Sequence, residues 1–407
     1  MRVLVTGANG FVGRNLIARL EAIQTGKDKN PEFKSLLPLE ISCFDLGDSQ
    51  EHLKSCCLKC DFVVHLAGVN RPTDGNFEGN VDTLANLLSS LKSAGNRSPV
   101  LLSSSIQASL VGRYENSDYG LSKLQAEKLL RRYAEENNIR IFIYRFPNIF
   151  GKWCRPNYNS AVATFCNAIA NNEPYSVSDP SVTLQLLYID DLVEEVLSAL
   201  TGNEHRCEYD GIKALPKADG LFCYVKETDV VTVGELVELL ESFKSKRMNL
   251  TVPRLENGAF IKKLYSTFLS YLKPDCFACS LESHVDSRGS FTEMLRLDDA
   301  GQISINVIKP EETKGQHWHN TKWERFLVVS GKGVVRQRRI GLDSDGTHFP
   351  VHEFYVCDSR LTAVDMIPGF THSITNTSKT QNLVLVIWAN EVFNSDRPDT
   401  FFEEVGQ

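Results

Sequence analysis

No stretch of this chain stays apolar for long. The clearest run, Leu383-Val-Leu-Val-Ile-Trp-Ala389, falls far short of the roughly 20 residues a membrane-spanning helix needs and fits a buried strand instead. A basic excess is also missing: 44 Lys and Arg stand against 51 Asp and Glu, a net charge of -7, with no Lys/Arg stripe. That argues against a dedicated nucleic-acid binder, whose affinity rests on phosphate neutralisation, so an anionic substrate has to be met by local charges. No leader pattern is visible either, because Met1-Arg-Val-Leu-Val5 already reads as a strand entering a glycine turn; the expected location is the cytoplasm.

What is present is ordinary globular composition, 42% hydrophobic and 23% charged, over 407 residues. That length exceeds what one hydrophobic core usually serves and implies two domains. The 11 cysteines are an odd number scattered over both halves, which fits reduced thiols better than a disulfide framework. Two CxxC pairs, Cys57/Cys60 and Cys276/Cys279, are read as buried or idle thiols in preference to a four-thiolate zinc site.

Val3-Leu4-Val5 leads directly into Thr6-Gly7-Ala8-Asn9-Gly10-Phe11-Val12-Gly13, and apolar residues then recur at helical spacing through Leu20. A strand, a glycine turn and a helix in that order make a phosphate-binding loop, with unpaired N–H groups and a positive dipole at the helix start. Further apolar strands, Glu40-Ile-Ser-Cys-Phe44, Phe62-Val-Val-His-Leu66 and Val100-Leu-Leu102, alternate with helical segments and predict a doubly wound parallel sheet. Asp45 stands where an acidic residue can accept from an adenosine ribose, which would disfavour a 2′-phosphate and favour NAD. His65, inside a strand, is read as structural.

Tyr119 and Lys123 are four residues apart and project from one helical face, where the lysine charge is expected to lower the phenol pKa from about 10. A serine from Ser103-Ser104-Ser105 can hold a carbonyl oxygen while Tyr119 donates the proton. With His65-Leu66-Ala67-Gly68, Arg145-Phe-Pro-Asn-Ile-Phe-Gly151 and Leu187-Tyr-Ile-Asp190, these motifs resemble the extended short-chain dehydrogenase/reductases over roughly residues 1–270. The resemblance implies a catalytic set of Ser105, Tyr119 and Lys123, with Ser104 in reserve. It implies a dinucleotide site of Gly7, Asn9, Gly10, Phe11, Val12, Gly13, Asp45, Leu66, Ala67, Tyr119 and Lys123, and a sugar nucleotide approached by Asn148, Asn159 and Ser160. Only 13 residues separate Ser105 from Tyr119, so the substrate-side loop there is expected to be short.

Two amphipathic helices follow, around Val231–Leu240, capped by Thr232, and Phe260–Leu269, and the domain boundary is placed at Leu272 to Pro274, giving domains 1–272 and 273–407. Beyond it, apolar alternation and glycine turns predict short strands closing into a jelly roll. His317-Trp318-His319, then Glu324, then His372 after Pro368-Gly369 form a nitrogen-rich ligand set suited to zinc, with nickel, iron and manganese as alternatives. The order resembles the two cupin motifs over residues 276–407. His284, His348 and His352 match nothing and are expected to face solvent.

Asp286-Ser-Arg-Gly-Ser-Phe-Thr-Glu293 and Lys314-Gly-Gln-His317 resemble segments of epimerases that act on 4-keto nucleotide deoxysugars, in which His317 serves as ligand or as base. Over its whole length the chain is similar to bifunctional capsular-polysaccharide enzymes that fuse a reductase to a zinc cupin, on stretches including Lys152-Trp-Cys-Arg-Pro-Asn-Tyr-Asn-Ser160 and Leu264-Tyr-Ser-Thr-Phe-Leu-Ser-Tyr271. That resemblance implies C3 epimerisation of a UDP-linked 4-keto amino-sugar in the barrel, NADPH-dependent reduction at C4 in the first domain, and a homodimer. The rival reading makes the barrel a dimerisation module only.

Overall fold

Near-continuous apolar strands can be stable only in a sheet covered on both faces, and the first unit is built that way. The computed structural model describes residues 1–72, 75–254, 259–298, 300–394 and 396–406. It divides into two compact units, one of Met1–Leu240 with Lys262–Leu272 and one of Glu241–Ile261 with Lys273–Gln407.

In the first unit β1 (Arg2–Thr6), α1 (Phe11–Gln24), β2 (Glu40–Phe44), α2 (Gln50–Lys59), β3 (Phe62–His65), α3 (Gly79–Ser93), β4 (Val100–Ser105), α4 (Asp118–Asn137) and β5 (Ile141–Phe146) alternate as expected. The parallel strands are ordered β2-β1-β3-β4-β5, and Phe222–Cys223, Arg206–Asp210 and Lys213–Pro216 extend the sheet beyond β5. Val3 and Val5 pack with Leu16, Leu20 and Ile23 of α1 on one face, while Leu4 packs with Leu53, Leu84 and Leu130 on the other. The strand order reverses between β1 and β3, and an open α/β sheet holds its ligand at the carboxyl ends of the strands beside such a reversal. A second sheet, ordered Asp229–Thr232, Thr183–Tyr188, Asn148–Phe150, carries Asn148. Thr232 caps helix Val233–Met248 reciprocally with Glu235: the Glu235 N–H donates to Thr232 Oγ1 at 3.2 Å and the Thr232 N–H donates to Glu235 Oε2 at 2.8 Å.

The second unit is β-rich, as expected. One sheet runs Thr251–Val252, Gly289–Leu297, Gly301–Ile308, Leu383–Ala389, Glu324–Ser330, Ala363–Met366, with Ser283–Asp286 paired to Gly289–Leu297. The other runs His352–Cys357, Lys332–Arg339, Phe370–Asn376, Thr313–Trp318, Phe401–Phe402. Ile308, Phe326 and Leu385 from the first sheet and Val335, Val356 and Ile374 from the second share one apolar core. The grouping of Glu241–Ile261 with this unit differs from the single boundary expected after residue 272. Its cause is pairing remote in sequence: Thr251–Val252 runs parallel to Arg296–Leu297, and Lys246 is ion-paired to Asp298.

All 11 cysteines are unbridged. No helix among the described residues is long and apolar enough to cross a membrane. Leu385 is fully buried, so Leu385→Ala is expected to cost about 2–5 kcal/mol in chemical denaturation, whereas exposed Val230→Ala should stay within about 0.5 kcal/mol.

Candidate functional site

Two sites take shape, one in each unit. In the first, the chain leaves β1 through Gly7, at φ 71°, and runs into α1, whose N-cap Gly10 has no side-chain cap. The first N–H groups of α1 are therefore free to meet an anion. A Cβ on Gly7 would lie 2.6 Å from the Ala67 nitrogen and 2.8 Å from the Leu66 carbonyl carbon, and one on Gly13 would lie 2.3 Å from the Gly7 carbonyl oxygen. Glycine is thus required where β1 meets the segment after β3, and Leu66 and Ala67 are fixed beside the loop. Phe11 and Val12 are half-buried at the helix start. The Asp45 carboxylate accepts the Asn9 N–H at 2.5 Å, so the acidic residue after β2 sits against the loop.

Lys123 is buried on α4 and donates to the Ser103 carbonyl oxygen at 3.1 Å, with its ammonium 5.7 Å from the Tyr119 ring centre. The segment after β4 packs on the start of α4 so closely that a Cβ on Gly120 would lie 2.3 Å from the Gln107 carbonyl oxygen, which brings the Ser105 end of β4 to the Tyr119 turn. Ser105 Oγ accepts the Gln107 N–H at 3.2 Å. Ser104 is engaged elsewhere: it donates to buried Glu127 at 2.5 Å, and Glu127 also takes two bonds from Arg145, at 2.9 and 2.6 Å. This removes Ser104 from its reserve position.

The expectation that Lys123 lowers the Tyr119 phenol is not met. Burial pushes the phenol up to about 12, and burial also pulls Lys123 down to about 8 against the opposing pull of Glu127. Desolvation is the cause of the phenol's rise, with the ammonium 5.7 Å from the ring centre. The short connection after β4 is as expected, made of two single-turn helices, Ile106–Ser109 and Gly112–Tyr114.

The substrate-side residues are spread out. Asn148 is exposed and donates to the Gln185 carbonyl at 3.2 Å, Asn159 is exposed, and Ser160 Oγ caps helix Ala161–Ala170 by accepting the Ala163 N–H at 3.3 Å. A cavity of about 370 Å³ is lined by Ile106, Arg145, Pro147, Gln185, Tyr209 and Lys213, among others.

In the second unit His317 and His372 are direct cross-strand partners, and a bulge between Gly315 and His317, with Gln316 at φ 63°, turns the strand so that His319 follows onto the same site. Glu324 opens a strand of the other sheet. One ligand atom from each of His317, His319, Glu324 and His372 lies within 4.8 Å of the rest, the one such cluster among the described residues. Glu324 Oε2 is 3.8 Å from His319 Nε2 and 3.6 Å from His372 Nε2. His319 Nε2 and both ring nitrogens of His372 are buried without a hydrogen-bond partner, which in a native interior calls for a ligand. Burial, then His372, pulls His317 down to about 4, leaving a neutral imidazole. Burial alone would raise the Glu324 carboxyl, but His319, His372 and Lys322 outweigh it and hold it well below its usual range. Neutral imidazoles and a carboxylate are the states a divalent cation requires, so the residues fit a metal.

Neither CxxC pair joins this site: burial pushes the Cys57 thiol up to about 12, and Cys276 and Cys279 are exposed. His284, His348 and His352 are exposed. His65 is buried in a structural role, with Nδ1 2.7 Å from Thr6 Oγ1.

The profile of the NAD dependent epimerase/dehydratase family matches residues 3–209, about half of the chain. The chain belongs to that family. Members of this family use a nicotinamide cofactor, which fits the glycine loop. Residues 284–401 match the Polysaccharide biosynthesis C-terminal domain. Among curated relatives, UDP-2-acetamido-2,6-beta-L-arabino-hexul-4-ose reductase of Pseudomonas aeruginosa is 38% identical over 100% of both chains. The dTDP-4-dehydro-6-deoxy-D-allose reductase of Streptomyces bikiniensis is 25% identical over 49% of this chain and 72% of its own. Among solved structures, the capsular polysaccharide assembling protein CapF of Staphylococcus aureus superimposes with a TM-score of 0.84 at 43% identity over 100% of both chains.

Sequence reasoning missed two parts of these sites. Asn80 accepts the Val69 N–H at 2.9 Å and donates to the Val69 carbonyl at 2.9 Å and to Ser122 Oγ at 3.0 Å, and Ser122 Oγ donates to the Tyr119 carbonyl at 2.8 Å. It thereby ties the segment after β3 to the Tyr119 turn. Lys322, buried and 3.2 Å from Glu324 Oε1, holds the second carboxylate oxygen. Its position inside the spacing from His319 to Glu324 was the available signal.

Burial, with Lys123 adding to it, depresses His65 to about 3 in the folded state. Protonation therefore favours the unfolded chain: the stabilisation is complete above about pH 6.5 and is lost as pH falls toward 3. His65→Asn, which retains a partner for Thr6, is expected to flatten the stability–pH slope of the first unit across that window. Denaturant melts at stepped pH, followed by hydrogen exchange in β1 and β3, measure this.

Proposed function

We propose that the chain is a bifunctional nucleotide-sugar enzyme. In this reading the second unit, a zinc cupin, epimerises C3 of a UDP-2-acetamido-2,6-dideoxy-hexos-4-ulose, and the first unit reduces the C4 ketone with NADPH to a UDP-N-acetyl-6-deoxy-L-hexosamine for surface glycans. The observation that carries it is the coexistence in one chain of a half-buried Tyr119 beside buried Lys123, next to the segment that Gly7 packs against, and a cluster of four side chains with orphaned imidazole nitrogens. The substrate class comes from the full-length similarity to the Pseudomonas aeruginosa reductase.

In the first unit Ser105 orients the ketone oxygen and Tyr119 delivers the proton to it. Lys123, held by the Ser103 carbonyl and with its proton loosened by burial, supplies charge beside the phenol. NADPH would supply the hydride, bound by the glycine loop and by Leu66 and Ala67. Asp45 stands against a 2′-phosphate, since its carboxylate lies on the Asn9 N–H. NADPH use therefore requires that carboxylate to swing away, and Asp45→Ala should raise the NADPH to NADH ratio of kcat/KM. Comparable turnover with NADH at low concentration would overturn the NADPH assignment.

In the second unit His319, Glu324 and His372 are enough to hold zinc, and His317, the most accessible of the four, is either the fourth ligand or the base that takes the C3 proton. A cation there would place positive charge beside the oxygen on which negative charge develops. Metal analysis of His317→Ala separates the two roles: zinc retained with epimerisation lost marks the base, and zinc lost marks the ligand. The reading places the enzyme in the cytoplasm as a homodimer, which light scattering checks.

Tyr119→Phe is expected to lower keto-sugar-dependent NADPH oxidation by about 10²–10⁴ while leaving cofactor affinity nearly unchanged. Normal oxidation by that variant would remove Tyr119 as the acid. Protein purified without chelator is expected to carry about one zinc per chain, and replacing two of the four ligands by alanine should abolish it. Protein without any transition metal would refute the metal centre.

A further inference from the structure

Residues 399–405 fold back over the cluster of His317, His319, Glu324 and His372. The Asp399 carboxylate accepts the N–H groups of Asn320 at 2.9 Å, Thr321 at 2.7 Å and Lys322 at 2.9 Å, with Asn320 Nδ2 and Thr321 Oγ1 each at 3.1 Å. Those three residues lie on the connection between His319 and Glu324, so one carboxylate gathers the loop that separates two of the four ligand side chains. Its low proton affinity has the same source: partial burial would raise the Asp399 carboxyl, but the N–H groups of Lys322, Thr321 and Asn320 hold it far below its usual range.

The Asp399 carbonyl oxygen meets His319 Nδ1. A carbonyl can only accept, so Nδ1 carries the proton and, in the neutral ring, the lone pair is on Nε2, the atom aimed at Glu324 and the cluster. Beyond Asp399 the strap continues along the ligand strands. Phe402 pairs with His317 and Phe401 with Trp318, whose ring stacks on Phe401 at 4.7 Å. The Glu403 N–H donates to the Gln316 carbonyl at 3.0 Å and the Val405 N–H to Gln316 Oε1 at 2.8 Å. Buried Arg338 fastens the end, donating to the Val405 carbonyl at 2.8 Å, the Glu404 carbonyl at 2.9 Å and Glu403 Oε1 at 2.9 Å.

We propose that Asp399 and the strap 399–405 form a positioning clasp that sets the affinity of the barrel for its metal, by fixing the His319 tautomer and the approach of Glu324. The inference rests on the zinc reading above. The clasp lies outside the four ligands and reaches them from about 80 residues further along the chain.

The test compares the full-length protein with Asp399→Ala, by chelator-competition zinc titration, by the visible spectrum of the cobalt-substituted form, and by melting with and without zinc. Asp399→Ala keeps the carbonyl on His319 but releases the 320–322 loop from the carboxylate that gathers it, and is expected to weaken zinc binding by about 10–100-fold, the range for loss of hydrogen bonds that surround and orient the ligands. The cobalt spectrum should shift, and zinc should raise Tm by less than it does in the unmutated protein. Asp399→Asn keeps one acceptor oxygen and the side-chain shape; it should fall between the two, and it decides the matter if the alanine variant does not fold. Unchanged zinc affinity in the folded variants, or equal loss of Tm with and without zinc, would overturn the clasp while leaving the metal centre standing. An unmutated protein that binds no zinc would overturn both.

Discussion

Removing an ionisable side chain from water costs several kcal/mol unless the surroundings replace its hydration, and both sites are arranged around that requirement. Lys123 keeps its proton weakly because burial disfavours the ammonium, and the Tyr119 phenol holds its proton tightly because burial disfavours the phenolate. Glu324 is the opposite case, a buried carboxylate held well below its usual range with the Lys322 ammonium 3.2 Å from one oxygen. The first arrangement favours a proton donor that gives up its proton only when charge develops on a bound substrate. The second favours a cation, which would satisfy one nitrogen of each imidazole and the carboxylate together.

The supporting structure differs between the units in a way that follows from their folds. In the doubly wound unit, parallel strands deliver loops to one edge, and close backbone contacts at Gly7 and Gly13 bring the phosphate loop against the segment after β3. Asn80 then braces that segment against the Tyr119 turn. In the β-rich unit the clustered side chains come from both sheets, and their placement depends on cross-strand register, a bulge before His317 and the strap from Asp399.

The parts legible in the sequence were those whose groups are close along the chain. The glycine loop, the i,i+4 spacing of Tyr119 and Lys123, and the short interval from His317 to Glu324 each encode their geometry locally, and the order of strands and helices carried the fold of the first unit. His372 was legible because its motif repeats a known order. The return of Glu241–Ile261 to the second unit was not, since a two-residue strand paired with Arg296–Leu297 leaves no pattern in composition. Asp399 was invisible because its partners are backbone N–H groups far away in sequence. The direction of the Tyr119 shift was missed because spacing reports a shared helical face with Lys123 but not the desolvation of the phenol. Ser105 was preferred to Ser104 by resemblance alone, and the physical reason, the buried Glu127–Arg145 pair that claims Ser104, lies in side chains brought together by the fold.

The central claim is that two different proton chemistries are housed separately, one in each unit. Its most direct measurement is deuterium incorporation at C3 of a UDP-linked 4-keto-6-deoxy amino-sugar, followed by NMR in deuterium oxide without reductant, for Tyr119→Phe and for His319→Ala. The account predicts that exchange persists in Tyr119→Phe, since it needs a base and stabilisation of the enolate but no hydride, and fails in His319→Ala. Exchange that disappears in Tyr119→Phe and survives in His319→Ala would contradict it, placing both steps in the first unit and leaving the barrel a structural role.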